Sequence, residues 1–231
     1  MIGSIKWYSK TWWTIMARPV LFYTLMPEGL AYGEALTFAG ATSWILSFVL
    51  TLAIFAVKFI EIGLYLIEKL SLWERLLTSP VMLVFSFVFF AMTVLIVGGF
   101  ALAAIVGALY VFGSILHFVL RLLGGKGSFS ETIKASFYSG AVFLLAALPV
   151  CLAVLTKYKI ITMWQLSAVE NMVYYIACVY IYGLWSIAGK KVHDVPRWKA
   201  ALAAALPFAI LIFFGVLFHS KVFPKLDRFL I

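Results

Sequence analysis

Arg121-Leu122-Leu123-Gly124-Gly125-Lys126-Gly127-Ser128-Phe129-Ser130-Glu131 is the longest polar, glycine-rich break between the hydrophobic blocks of this sequence. Its reading decides the fold. Gly124 or Gly125 can take the left-handed conformation that closes a helix, and glycines keep such a loop tight. Ser128 followed by Glu131 has the spacing of a capping box, which predicts a new helix from about Phe129. One helix therefore runs down to the loop and another returns from it.

Composition says what those helices cross. The chain has 231 residues, 65% hydrophobic and only 12% charged, with a mean hydropathy of +1.09. Its apolar runs exceed the length of buried strands or core helices, which excludes an ordinary soluble domain and predicts an integral membrane protein. The formal charge of +9 is read as lysine and arginine flanking spans and meeting anionic lipid headgroups. No basic domain is present to carry nucleic acid, so no such partner is expected. Cys151 and Cys178 sit inside apolar runs and read as buried small hydrophobes. Lys6, Lys10 and Arg18 interrupt the start of the chain, which does not read as a signal peptide.

Residues 1–41 form an amphipathic, interfacial N-terminal segment in which Trp7, Tyr8, Trp12, Trp13, Phe22 and Tyr23 alternate with basic residues. Pro19 and Pro27 divide it, predicting two short helices. Residues 42–231 form the transmembrane bundle, with spans at about 42–66, 81–121, 132–155, 166–188 and 199–218. Trp44 marks one boundary of the first span, and Pro149 and Pro207 are expected to kink the third and fifth.

The stretch 81–120 decides between five spans and six. As one helix it would be about 60 Å long, twice the hydrocarbon core, which favours a turn at Gly98-Gly99. That turn would carry no strongly polar residue, however, and Gly99, Ala103 and Gly107 recur at the four-residue interval of a close-packing stripe. The distribution of basic residues settles the choice. Five spans with an internal N-terminus put ten lysines and arginines inside and seven outside, whereas six spans give eight and nine. The expected fold is all-α: a polytopic bundle of five transmembrane helices, the second long and tilted or bent.

Several motifs carry a resemblance. Met16-Ala17-Arg18-Pro19-x-x-Phe22-Tyr23-x-x-Met26-Pro27-x-Gly29 precedes the spans, Gly124 to Phe129 separates the second and third, and the third holds Tyr138 and Pro149. Over about Arg18 to Phe218 the chain resembles the YIP family, the Ypt-interacting-protein domain of multi-pass membrane proteins. The resemblance implies an all-helical five-span bundle with a cytosolic N-terminus and the C-terminus on the far side. Eukaryotic members sit in Golgi and endoplasmic reticulum membranes and associate with small Rab-type GTPases and with each other. They carry a longer polar region ahead of the spans than the roughly forty residues here, so the chain resembles a prokaryotic member, placed in a bacterial inner membrane.

Chemistry-bearing motifs are sparse. Gly125-Lys126-Gly127-Ser128 lacks the spacing and preceding strand of a phosphate loop. No protease constellation occurs, and His117, His193 and His219 lie far apart in the sequence, so no shared metal, cofactor or enzymatic activity is expected. His117 and Arg121, one turn apart, and the loop Gly124, Gly125, Lys126, Gly127 and Ser128 are candidates for contact with lipid headgroups. Lys58, Glu61, Glu170 and Asn171 are polar residues placed in the same membrane half, where such groups face the bundle interior or water. Pairing of Lys58 with Glu61 or Glu170 is expected. Two functions follow: a non-enzymatic membrane organiser working through lipid, self or partner-protein contacts, or a small transporter, channel or lipid-moving protein using the Lys58/Glu61/Glu170 cluster.

Overall fold

The computed structural model of the chain describes residues 5–26, 32–59, 65, 68–221 and 225. All regular elements among them are helical. α1 (Ile5–Ala17) and α2 (Pro19–Leu25) are the two short N-terminal helices, with Pro19 at the first position of α2, where its missing N–H costs nothing. α3 (Tyr32–Ile54) runs into a π-helical turn, Phe55–Phe59. α4 spans Leu72–Leu122, and α5 (Phe129–Ser139) passes through a 3₁₀ segment, Gly140–Ala146, into α6 (Ala147–Lys157). α7 (Met163–His193) and α8 (Arg197–Lys221) complete the bundle. Five segments are long and apolar enough to cross a membrane: Gly33–Phe59, Leu77–Leu122, Phe129–Lys157, Met163–His193 and Arg197–Lys221.

Local chemistry fixes most of these boundaries. Ser71 and Glu74 form a capping box at the start of α4, with the Ser71 backbone N–H and hydroxyl donating to Glu74 Oε2 at 2.8 and 2.7 Å. Those two bonds hold the exposed Glu74 carboxyl below its usual pKa. Thr162 and Gln165 repeat the device at α7. The bend expected at Pro149 is displaced upstream. Proline removes one hydrogen bond and crowds the preceding turn, and here that turn has tightened into the 3₁₀ segment Gly140–Ala146.

α4 is a single helix of 51 residues, about 76 Å long at 1.5 Å per residue. Gly98 does not turn the chain. It admits the Trp44 ring of α3, which a Cβ at that position would overlap. Gly113 makes the equivalent close approach to α5, where a Cβ would lie 2.9 Å from Ile133 Cδ1 and Ser136 Cβ. Pro80 lies inside this helix, and α3 is already helical from Tyr32, so Trp44 sits well within the first span rather than at its boundary.

The core gathers at the glycine-loop end. Ile15, Phe38, Leu116, Phe137 and Trp185 are fully buried there, among alanines of α3, α5, α7 and α8. α1 and α2 are docked on this core as well as amphipathic. Tyr8 Oη meets Thr42 Oγ1 at 2.8 Å, Trp12 Nε1 donates to the Ala141 carbonyl at 3.0 Å, and Tyr23 Oη donates to the Ala135 carbonyl at 3.3 Å. Tyr180 closes the set by donating to the Met16 carbonyl. At the opposite end packing thins to a small cluster around Val57 and Leu166, and the first half of α4 is largely exposed, with the rings of Phe89 and Phe90 meeting Phe48, Phe55 and Phe59.

Candidate functional site

The glycine loop is built by the ends of three helices. Gly124, at φ +90°, terminates α4 in the left-handed region, and the Gly125 N–H turns back to the Leu120 carbonyl at 2.9 Å. Ser128 caps α5, accepting from the Glu131 N–H at 3.2 Å and donating to Glu131 Oε2 at 2.8 Å. The loop is also tied down by α7 and α8. Lys126 N–H donates to the His193 carbonyl at 3.1 Å, and Lys199 Nζ donates to the Leu123 carbonyl at 2.8 Å. α7 ends directly beneath it, with Asp194 left-handed at φ 50°.

Under the loop lies a polar cluster that joins two histidines far apart in the sequence. Thr132 Oγ1 stands 3.1 Å from His117 Nδ1 and 2.8 Å from His193 Nε2, and the two imidazole centroids are 5.1 Å apart. These histidines are 76 positions apart in the sequence, and the convergence of α4, α5 and α7 on one loop brings them together. His193 is fully buried, and its Nδ1 has no hydrogen-bond partner among the described residues. The only advance signal was that both histidines fall at helix ends on the same side of the predicted bundle. His117 is half-buried and faces Thr132 through Nδ1, while Arg121 and Lys126 remain exposed, Arg121 also reaching the Gly125 carbonyl at 3.3 Å. His219 lies at the other end of the bundle, at the end of α8. Among the described residues, no group of three His, Cys, Asp or Glu side chains is placed to hold a metal ion.

The second polar set falls only partly within the described residues. Glu61, and with it the expected Lys58–Glu61 pair, lies outside the described residues. Lys58 belongs to the π turn after α3. Asn171 bonds its own helix, donating to the Ser167 carbonyl at 2.8 Å. Glu170 Oε2 faces His219 Nδ1 of α8 at 3.6 Å rather than Lys58. That distance is too long for a hydrogen bond, and the buried Glu170 Oε2 has none among the described residues. Glu170 lines a cavity of about 170 Å³ between the 3₁₀ segment, α6, α7 and α8, whose other walls include Val142, Phe143, Val173 and Leu211.

The third set, on α4, is left open. Gly99, Ala103 and Gly107 are all exposed, and a Cβ added at either glycine would meet nothing within 4 Å. The stripe does not pack inside the bundle; Gly98 and Gly113 do that.

A comparison with protein families decides what kind of bundle this is, since the Yip1 domain matches residues 9–218, from α1 to near the end of α8. The chain belongs to the Yip1 domain family. The Yip1 match includes the docked N-terminal helices, the glycine loop and all five spans, and it bears out the resemblance read from Met16–Gly29 and Gly124–Phe129. No curated protein and no solved structure matches the chain. This Yip1 domain protein is an integral membrane protein, and among its described residues five helices are long and apolar enough to cross the membrane.

Proposed function

We propose that this Yip1 domain protein is a non-enzymatic membrane organiser that associates with further copies of itself through the open face of α4. The observation that carries the reading is the exposure of Gly99, Ala103 and Gly107. Phe85, Met92 and Ile96 extend the same face toward the start of the helix, and all three are exposed. Small residues let helix backbones approach closely, and in lipid that close packing, rather than apolarity, distinguishes a helix interface from an acyl-facing surface. The N-terminus is assigned to the cytoplasm of a bacterial inner membrane, which puts the exposed Arg121 and Lys126 against anionic headgroups.

Single-molecule photobleaching of labelled protein in liposomes tests the reading. Gly99→Ile combined with Gly107→Ile adds bulk only where there is open space, so the fold should be retained while the dimer fraction falls by about tenfold in association constant. A dimer fraction unchanged by the two substitutions would remove the stripe from the interface. A second reading, a small transporter or lipid-moving protein, draws support from the buried, unbonded carboxylate oxygen of Glu170 beside a cavity. Solute or lipid flux in proteoliposomes that Glu170→Gln abolishes would favour that reading over the first.

A further inference from the structure

We propose that the cavity headed by Glu170, together with the groove beside it on α7 and α8, binds one zwitterionic glycerophospholipid whose headgroup carries a primary ammonium. The site is separate from the α4 face and goes beyond self-association. The cavity and the groove, of about 170 and 580 Å³, share Tyr174 and Leu211 as walls. Tyr174 is held between them, donating to the Leu211 carbonyl at 2.7 Å, and its ring lies where a side chain on Gly215 would stand. Glu170 and Ile181 both line the cavity, so it runs about 16 Å along α7 at 1.5 Å per residue. Its lining is otherwise almost wholly apolar. That depth and chemistry suit the upper part of an acyl chain.

The polar groups at the mouth choose the headgroup. Glu170 Oε2 is a buried acceptor with no hydrogen bond, and a group bringing N–H donors would relieve it. A primary ammonium has three such donors. A trimethylated ammonium has none, and a glycerol headgroup brings hydroxyls but no positive charge. The phosphate has a cation to meet in turn, since Lys221 lines the groove, and His219, whose Nδ1 stands 3.6 Å from Glu170 Oε2, lies two residues before it on α8. Both signs of charge are thus placed for a zwitterion of this kind.

Native mass spectrometry of the full-length protein in detergent, with added phosphatidylethanolamine, phosphatidylcholine or phosphatidylglycerol of identical acyl chains, tests the site. Phosphatidylethanolamine should be retained about tenfold better than either competitor, the value of one charge-assisted hydrogen bond. Glu170→Gln should bring it down to the phosphatidylcholine level. Ala177→Phe, which fills the cavity without touching the charges, should reduce retention of phosphatidylethanolamine and guards against misfolding of the first variant. Equal retention of the three lipids, preference for phosphatidylglycerol, or a preference that survives both substitutions would overturn the proposal. The same spectra report the number of chains, so failure of the lipid site and failure of the α4 interface are read separately.

Discussion

Gly127→Ala is expected to destabilise the protein by about 3 kcal/mol, at or beyond the upper end of ordinary overpacking. The new Cβ would overlap the Val192 carbonyl oxygen and lie 2.8 Å from its carbon and 2.9 Å from His193 Cγ. The obstructing atoms belong to the backbone of the last turn of α7, and the adjacent His193 carbonyl is held by the Lys126 N–H. Neither side can retreat without breaking the joint. Gly124→Ala makes the useful contrast, since a Cβ there meets nothing but must sit at φ +90°, a strain of about 1–2 kcal/mol. Equilibrium unfolding in mixed micelles should rank the two in that order, with faster hydrogen exchange at the Lys126 amide in the first. A Gly127→Ala protein as stable as wild type would show that the loop does not dock on α7.

Thr132→Val carries the second large effect. The Thr132 hydroxyl has one proton, and the Ser128 carbonyl 2.9 Å away is its acceptor. Both imidazoles must then present an N–H to Thr132 Oγ1, His117 through Nδ1 and His193 through Nε2. Valine keeps the shape and leaves two donors unmatched, one of them on a fully buried ring whose Nδ1 already has no partner. At about 1–3 kcal/mol for each unsatisfied buried group, and less for the half-buried His117, the loss should be about 2–4 kcal/mol. Thr132→Ser keeps the hydroxyl and should cost less than about 1.5 kcal/mol, the loss of one buried methyl. Side-chain ¹⁵N shifts of the two histidines check the assignment, because valine should change both resonances together. Unchanged shifts would contradict the shared hydroxyl.

What could be read from the sequence follows from how local each signal is. The capping box at Ser128 and Glu131, the left-handed Gly124 and the split at Pro19 involve neighbours in the chain, and each appears as expected. The single long α4 was legible because the distribution of lysines and arginines favoured five spans and a turn at Gly98-Gly99 would have had no polar residue to face water; the structure uses Gly98 for Trp44 instead. Trp44 itself misled. An aromatic side chain marks an interface only when nothing packs against it, and here a glycine on a distant helix accepts the ring. The His117–Thr132–His193 cluster and the Glu170–His219 pair each join residues remote in sequence, and no periodicity announces them. Lys199 read as one more flanking cation, yet it clamps the Leu123 carbonyl.

The most direct test of self-association through α4 is disulfide trapping in native membranes. Ala103→Cys would be introduced after Cys151 is replaced by alanine, since that thiol, unlike Cys178, is exposed in the structure rather than buried as its apolar run suggests. Leu83→Cys, exposed on the opposite side of the same helix, is the control. The account predicts rapid formation of a covalent dimer at position 103 under mild oxidant and little at position 83. No dimer at 103, or equal trapping at both positions, would contradict it.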